Sequence, residues 1–150
     1  MMADITIALA TDADIADVAP LLGVQLDEHG MGMSKGALVA ALRGIVVHPD
    51  RGRVLVARRG AEAVGFAVMP FTWTVEHGGH CAWLDELYVV PDLRDHGLGT
   101  ALLLEAMNVV RAAGCIAMDL EVDADHARVE SLYLRHGFRA LSRKRFSRRL

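Results

Sequence analysis

The sequence predicts an α+β fold: a single domain with one mixed sheet and helices packed on it. Three observations lead there. Apolar residues return at helical spacing in four stretches, and between them lie runs rich in β-branched and aromatic residues, as strands require. The order is strand, two helices, three strands, helix, strand, helix, two strands, which suits one mixed sheet better than a strictly alternating parallel one. Finally, 150 residues, 53% of them hydrophobic and 23% charged, suffice for one proper core, and no repeat, linker or low-complexity tract divides the chain.

Residues 4–9 alternate as a short strand, and Thr11 with Asp14 forms a capping-box start in which Asp replaces the usual Glu. Ile15, Val18, Ala19, Leu22 and Leu26 then make an apolar helical stripe, which Gly30-Met31-Gly32-Met33 ends. Ser34 caps a second helix carried by Leu38, Leu42 and Ile45, and residues 48–52 turn the chain. Residues 54–58 and 64–75 read as two strands, and 76–79 as a turn feeding a central strand over 83–90. Pro91 and Asp92 stop that strand, and a helix follows over 98–111. Residues 115–122 form a further strand, whose alternation sets Asp119, Glu121 and Asp123 on one face. Asp125 caps a helix over 126–136, Gly137 closes it, and two short strands complete the chain.

Composition excludes several classes of function. No run of 18 apolar residues exists to span a membrane, and the acid-bearing N-terminus lacks the basic region of a secretory signal, so a cytoplasmic protein is expected. Cys81 and Cys115 make neither a disulfide framework nor a zinc spacing. The seven histidines show no metal-binding spacing, so no metal is expected. Charge is unevenly spread: residues 1–134 hold nine basic and nineteen acidic side chains, a balance of −10, whereas residues 135–150 hold seven basic ones and no acid. The acidic body argues against extended nucleic-acid binding, and the basic tail reads either as solvated surface or as a face for a cofactor phosphate.

The most informative stretch is residues 83–111, where a strand runs through a glycine turn into a helix. Two glycines, Gly97 and Gly99, leave the backbone open there, and the unpaired N–H groups of a first helical turn favour an anion. The turn is not a dinucleotide fingerprint, because position 102 is Leu, nor a P-loop, because no Gly-Lys-Ser/Thr follows. Arg94-x-x-Gly97-x-Gly99, after a strand ending Leu-Tyr-Val-Val-Pro, resembles motif A of the GCN5-related N-acetyltransferases. Leu132-Tyr133-x-x-x-Gly137-Phe138 is similar to that family's second signature, in the same order and separation. The resemblance covers about residues 54–146 well and the N-terminal third by pattern only.

This resemblance implies a mixed, mostly antiparallel sheet flanked by helices, acetyl-CoA as co-substrate, and transfer of its acetyl group to a primary amine. It implies that Leu87, Tyr88 and Val89 offer strand backbone to the pantetheine arm, and that one of their amides polarises the acetyl oxygen. Amides of Asp95, His96, Gly97, Leu98, Gly99 and Thr100 would hold the pyrophosphate, with Arg94 beside them. Asp95 departs from the family pattern, and its carboxylate must point away from phosphate. Tyr133 stands where many members carry the acid that protonates the leaving thiolate. His126 stands where an asparagine is common and would bond the pantetheine or act as a base. Carboxylates able to take the ammonium proton are Glu86, Glu121 and Asp85, with Glu86 preferred and Glu121 next. Strand alternation sets Asp85 and Glu86 on opposite faces.

The acidic body favours a cationic small amine as acceptor, with no nucleic acid or membrane as partner, and a homodimer is compatible with the same reading. Two other readings stay open: a peptide N-terminal or lysine acetyltransferase, and a non-catalytic acyl-CoA-binding module on the same fold. A third, a phosphate-binding regulator with its basic tail on nucleic acid, predicts salt-sensitive binding.

Overall fold

The computed structural model describes residues 4–123 and 127–150, which fall into two compact units, Met1–Leu120 and Glu121–Leu150. The first unit holds a six-stranded sheet. Its strands are β1 (Ile5–Leu9), β2 (Gly52–Arg59), β3 (Glu62–Thr74), β4 (Gly79–Trp83), β5 (Glu86–Val89) and β6 (Ala117–Asp119). Its helices are α1 (Ile15–Glu28), α2 (Lys35–Val46) and α3 (Leu98–Ala112). The second unit holds α4 (Ala127–Arg135). The sheet is mixed and mostly antiparallel: β1, β2, β3 and β4 pair in antiparallel sequence, β5 also pairs antiparallel with β3, and β6 lies parallel to β4.

Both faces of the sheet are covered, which is why β2 and β3 are apolar almost without alternation. Val54, Val56, Phe66, Val68 and Tyr88 point to one face and pack with Ile15, Val18, Ala19, Leu22 and Leu26 of α1 and Leu38 and Leu42 of α2. On the other face a methyl group added at Gly65 would meet Leu102 of α3 at 3.2 Å, so α3 lies there, with Leu98, Leu102, Leu103 and Ala106 fully buried. Burying each such aliphatic side chain contributes about 1.5–3 kcal/mol.

The helix starts follow the expected caps. Thr11 N–H donates to Asp14 Oδ2 at 2.7 Å and opens a short 3₁₀ turn that runs into α1, while Ser34 Oγ accepts from Ala37 N–H at 3.2 Å to open α2. Asp14 is also bound to the sheet, because Arg58 of β2 donates to its Oδ1 at 2.7 Å and to Asp17 Oδ2 at 2.9 Å. In the second unit, α4 ends as Gly137 predicts. Its φ is 88°, Phe138 N–H donates to Tyr133 C=O at 3.1 Å, and the Phe138 ring meets the Tyr133 ring edge-on at 5.7 Å.

Three expectations need correction. The central strand expected over residues 83–90 is two strands, since β4 stops at Trp83 and β5 begins at Glu86. The cause lies opposite, in β3. Val68 C=O accepts from Asp85 N–H at 2.9 Å, so the backbone groups of position 70, two residues on, also point toward β4 and β5. That position is Pro70, which has no N–H to give. The ladder breaks there and resumes with a bulge, in which Asp85 and Glu86 both stand against Val68. The bulge also removes the strict alternation behind the expectation that Asp85 and Glu86 face oppositely.

The strand expected over 115–122 is only Ala117–Asp119, so Glu121 and Asp123 do not share a strand face with Asp119. Residues 139–150 carry no regular structure, so the two terminal strands are absent among the described residues; eight arginines, lysines and neighbouring polar groups there leave too little apolar surface to bury. The expected cap Asp125 lies outside the described residues.

Asp14 gives a test of this framework. Its carboxyl is held below the usual carboxylate range, first by the Thr11 N–H and then by Arg58 acting against burial. A depressed value stabilises the fold above the unfolded value of 3.8 and loses that effect as pH falls below it. Asp14→Asn should therefore cost about 0.5–2 kcal/mol at neutral pH, and the gap to the parent should close in acid, as read from urea midpoints at pH 7 and pH 3. A gap independent of pH would assign the loss to shape alone.

Candidate active site

The break opposite Pro70 leaves one edge of β5 exposed. β6 stops at Asp119, whose C=O accepts from Leu84 N–H at 2.8 Å, and beyond it β5 has no neighbouring strand on that side among the described residues. Val90 N–H donates to Val64 C=O of β3 at 3.0 Å, so the backbone groups of Leu87 and Val89 face the open edge. Two of the carbonyls there are held by side chains: Gln25 Nε2 donates to Leu87 C=O at 3.1 Å and Arg94 Nε to Val89 C=O at 2.8 Å. The Leu87 and Val89 N–H groups remain turned outward.

The chain leaves β5 through a 3₁₀ turn, Pro91–Leu93, and enters α3 through the glycine turn. Asp95 and Gly97 have positive φ, 66° and 89°, which turns successive amides inward on a tight curve. Asp tolerates this region better than most residues, and its side chain is exposed. The N-cap of α3 is Gly97, which has no side chain to cap the helix, and among the described residues no side-chain hydrogen bond to the first N–H groups at its positive end is seen. Gly99 has ordinary helical geometry, and a methyl group built on it would meet nothing within 4 Å. The fold itself gives no reason for that glycine, whose cost in a helix is about 1 kcal/mol against alanine. Space kept clear beside open amides fits a group approaching from outside.

Arg94, expected beside the pyrophosphate amides, makes its contacts within the first unit. Besides Val89 it lies 3.8 Å from Glu28, and its guanidinium sits 5.3 Å from the centre of the Tyr88 ring. These contacts fold the turn back on β5.

Glu86 lies on the face covered by α1 and α2. It stands in register with Val68, as Tyr88 does with Phe66, and all three of those partners belong to the core on that side. Its carboxylate has no hydrogen-bonding or ionic partner among the described residues. Burial, with the nearby Asp85 charge adding to it, pushes the carboxyl up to about 7. A carboxyl poised there exchanges protons at neutral pH, as a general base must.

The remaining expected groups belong to other elements. Asp119 accepts from His77 Nε2 at 2.9 Å, a pairing that no motif signals. Glu121 and Tyr133 belong to the second unit; Glu121 pairs with Arg145, and Tyr133 is buried against Phe138. His126 lies outside the described residues. Among the described residues no cluster of His, Cys, Asp or Glu could hold a metal ion, and no helix is long and apolar enough to cross a membrane.

Gln25 was missed by sequence reasoning. It is the buried polar side chain of the first unit, 6% exposed, and its Oε1 has no hydrogen-bond partner among the described residues. An unmatched buried acceptor costs about 1–3 kcal/mol. The signal was present: Gln25 follows Leu22 by three residues, on the apolar stripe of α1, where a polar residue calls for explanation.

A model of the acetyltransferase (GNAT) family matches residues 37–138. The chain belongs to that family. A mycothiol acetyltransferase of Arthrobacter sp. (strain FB24) is 33% identical over 151 residues, covering 86% of this chain and 46% of its own. An aminoglycoside N(6')-acetyltransferase type 1 of Klebsiella aerogenes is 32% identical over 110 residues, 72% of each chain. Among solved structures, an integron cassette protein from the mobile metagenome of Cole Harbour Salt Marsh superposes with a TM-score of 0.84 at 26% identity, covering 96% of this chain and 90% of its own. The chain spans less than half the length of the mycothiol acetyltransferases it matches. The family match includes the open strand edge, the glycine turn and Glu86.

The Glu86 environment has a measurable consequence for stability. A carboxyl raised from 4.5 to about 7 leaves the native state harder to ionise than the unfolded one, so the fold loses stability as pH rises through that window. Glu86→Gln should remove this slope and gain stability relative to the parent between pH 4.5 and pH 7.5, measured by chemical denaturation. Parallel pH curves for the two proteins would place the carboxyl in water instead.

Proposed function

We propose that this GNAT protein transfers the acetyl group of acetyl-CoA to a primary amine by direct attack within a ternary complex. The observation that carries the reading is the clear space beside Gly99 at an uncapped helix start, reached directly from the open edge of β5. An elongated ligand with amide groups at one end and phosphates at the other suits that succession: the outward N–H groups of Leu87 and Val89, then the amides from Asp95 to Thr100. One of the β5 amides would also polarise the thioester carbonyl.

An alkylammonium with a pKa near 10.4 leaves on the order of one molecule in a thousand nucleophilic at neutral pH. Glu86 is the group we assign to remove its proton, since its carboxyl changes charge near 7. Glu121 is the second candidate, and its pairing with Arg145 makes it the weaker one. As nitrogen bonds to the carbonyl carbon and the carbon–sulfur bond breaks, Tyr133 returns a proton to the thiolate; a phenol with a reference pKa near 10 stays protonated until then. His126 is kept as a pantetheine contact by resemblance alone.

The acceptor we favour is a small amine with further positive charge, drawn by an acidic body with a balance of −10 over residues 1–134. The names of two relatives, a mycothiol and an aminoglycoside acetyltransferase, are compatible with a small polar acceptor. A peptide amine remains the second reading.

Gly99→Val tests the cofactor assignment with little risk to the fold, whereas Gly97→Val would add strain at a φ of 89°. Acetyl-CoA affinity by calorimetry should fall at least about tenfold while thermal stability holds. Unchanged affinity would sink the assignment. Tyr133→Phe keeps the ring and removes the donor, so turnover should fall about 10²-fold with acetyl-CoA binding intact. A variant as fast as the parent would leave Tyr133 a packing role.

A further inference from the structure

Gln25 holds a fixed orientation. The Leu87 carbonyl can only accept a hydrogen bond, so the Gln25 amide must turn its nitrogen toward it, as the 3.1 Å contact has it. The oxygen at the other end is thereby directed away from β5's backbone, buried and without a donor among the described residues. Rotation of the amide does not relieve this, because it would set two acceptors against each other. The neighbours of Gln25 along the buried stripe of α1, Leu21, Leu22 and Leu26, offer no donor from their side chains.

The site around this oxygen is chemically specific. Glu86 precedes the residue that Gln25 contacts, and its register with Val68 turns it to the face of the sheet that α1 covers. The face of the sheet beneath α1 therefore carries, beside β5, a half-buried carboxyl and a buried amide oxygen, neither with a hydrogen-bond donor among the described residues. A nucleophile entering there meets two acceptors. Once Glu86 has taken the ammonium proton, a neutral secondary amine has one hydrogen left to offer, as a hydroxyl has, and a neutral primary amine has two.

We propose that Gln25 is a specificity-determining residue whose Oε1 accepts one N–H of the incoming amine while Glu86 accepts another, so that the pair selects primary amines. The proposal rests on the acetyl-transfer reading and adds to it a residue and a selectivity. Gln25 also orients the nitrogen, because an amine held at two points presents its lone pair in one direction.

The test uses the full chain, with Gln25→Met to keep volume while removing both polar ends, and Gln25→Glu to keep an acceptor oxygen while losing the donor to Leu87. Thiol release from acetyl-CoA is measured with 1,4-diaminobutane, an aminoglycoside and lysine amide, together with the N-methyl counterpart of the best of them. For Gln25→Met we expect KM for the amine to rise about tenfold or more, with KM for acetyl-CoA within about twofold. The parent's preference for the primary amine over its N-methyl counterpart should shrink in the same variant, and Gln25→Glu should retain most of the amine affinity. An unchanged amine KM in Gln25→Met, or a rise confined to acetyl-CoA, overturns the proposal and leaves acetyl transfer standing. Equal losses in both variants, accompanied by a lower melting temperature, make Gln25 a tie between α1 and β5 and likewise overturn it. If the parent releases no thiol with any probe, the transfer reading fails. Calorimetric affinity of the same amines for the CoA-loaded parent and Gln25→Met then decides the role of Gln25: a tenfold loss upholds it, and equal or absent binding overturns it.

Discussion

A backbone N–H that does not exist organises the centre of this molecule. β3 is thirteen residues long and serves three neighbours, and between the stretches that pair with β5 and β4 Pro70 has no donor for the side on which those strands lie. The partner chain answers by dividing. β4 pairs with Phe71–Thr74 on one side and with β6 on the other, while β5 restarts after a bulge against Gly65–Val68. Because β6 follows β4 and stops, the second half of the divided strand is left with a free edge inside the fold. Free edges expose the chain to unwanted pairing, so one set beside a helix start and spared from closure is better explained by use than by accident.

The same break governs the electrostatics. At a bulge two residues answer one partner, and here both are acids, Asp85 exposed and Glu86 drawn into the face beneath α1. A carboxylate in an ordinary surface strand is kept ionised by water. Glu86 has lost part of that water to Val68 and the helices above, and the neighbouring Asp85 charge opposes its ionisation further. Desolvation dominates, which makes the shift a property of the packing around β5 as much as of the sequence around Glu86.

The GNAT relatives set the range of acceptors to consider. The mycothiol acetyltransferases matched are more than twice as long as the aligned portion. The aminoglycoside acetyltransferase is matched over 72% of its length. The span matched by the family model contains the sheet edge and the glycine turn to which we assign the co-substrate, so on that reading selectivity has to come from other parts of the chain. Gln25 lies in such a part, in the first helix and ahead of the residues matched by the family model.

The sequence by itself determined the fold class, the positions of the first three helices within a residue or two, the glycine turn, and the closure of α4 at Gly137. Those features rest on local rules: a 3.6-residue stripe, a cap of Thr11 on Asp14 or Ser34 on Ala37, a residue with positive φ. It also placed Glu86 among the candidate bases. Only the tertiary structure decided which of those acids is desolvated. The interval from Trp83 to Glu86 looked like continuous strand because its residues have strand propensity, and the reason it is not lies fourteen residues earlier, in Pro70. Strand pairing is a non-local contact that neither segment records alone. Likewise the adjacent Asp85 accounts for only the smaller part of the raised carboxyl of Glu86, whose larger cause is burial in the folded chain, and Gln25 passes for an ordinary helix residue until its oxygen is found buried with no donor among the described residues.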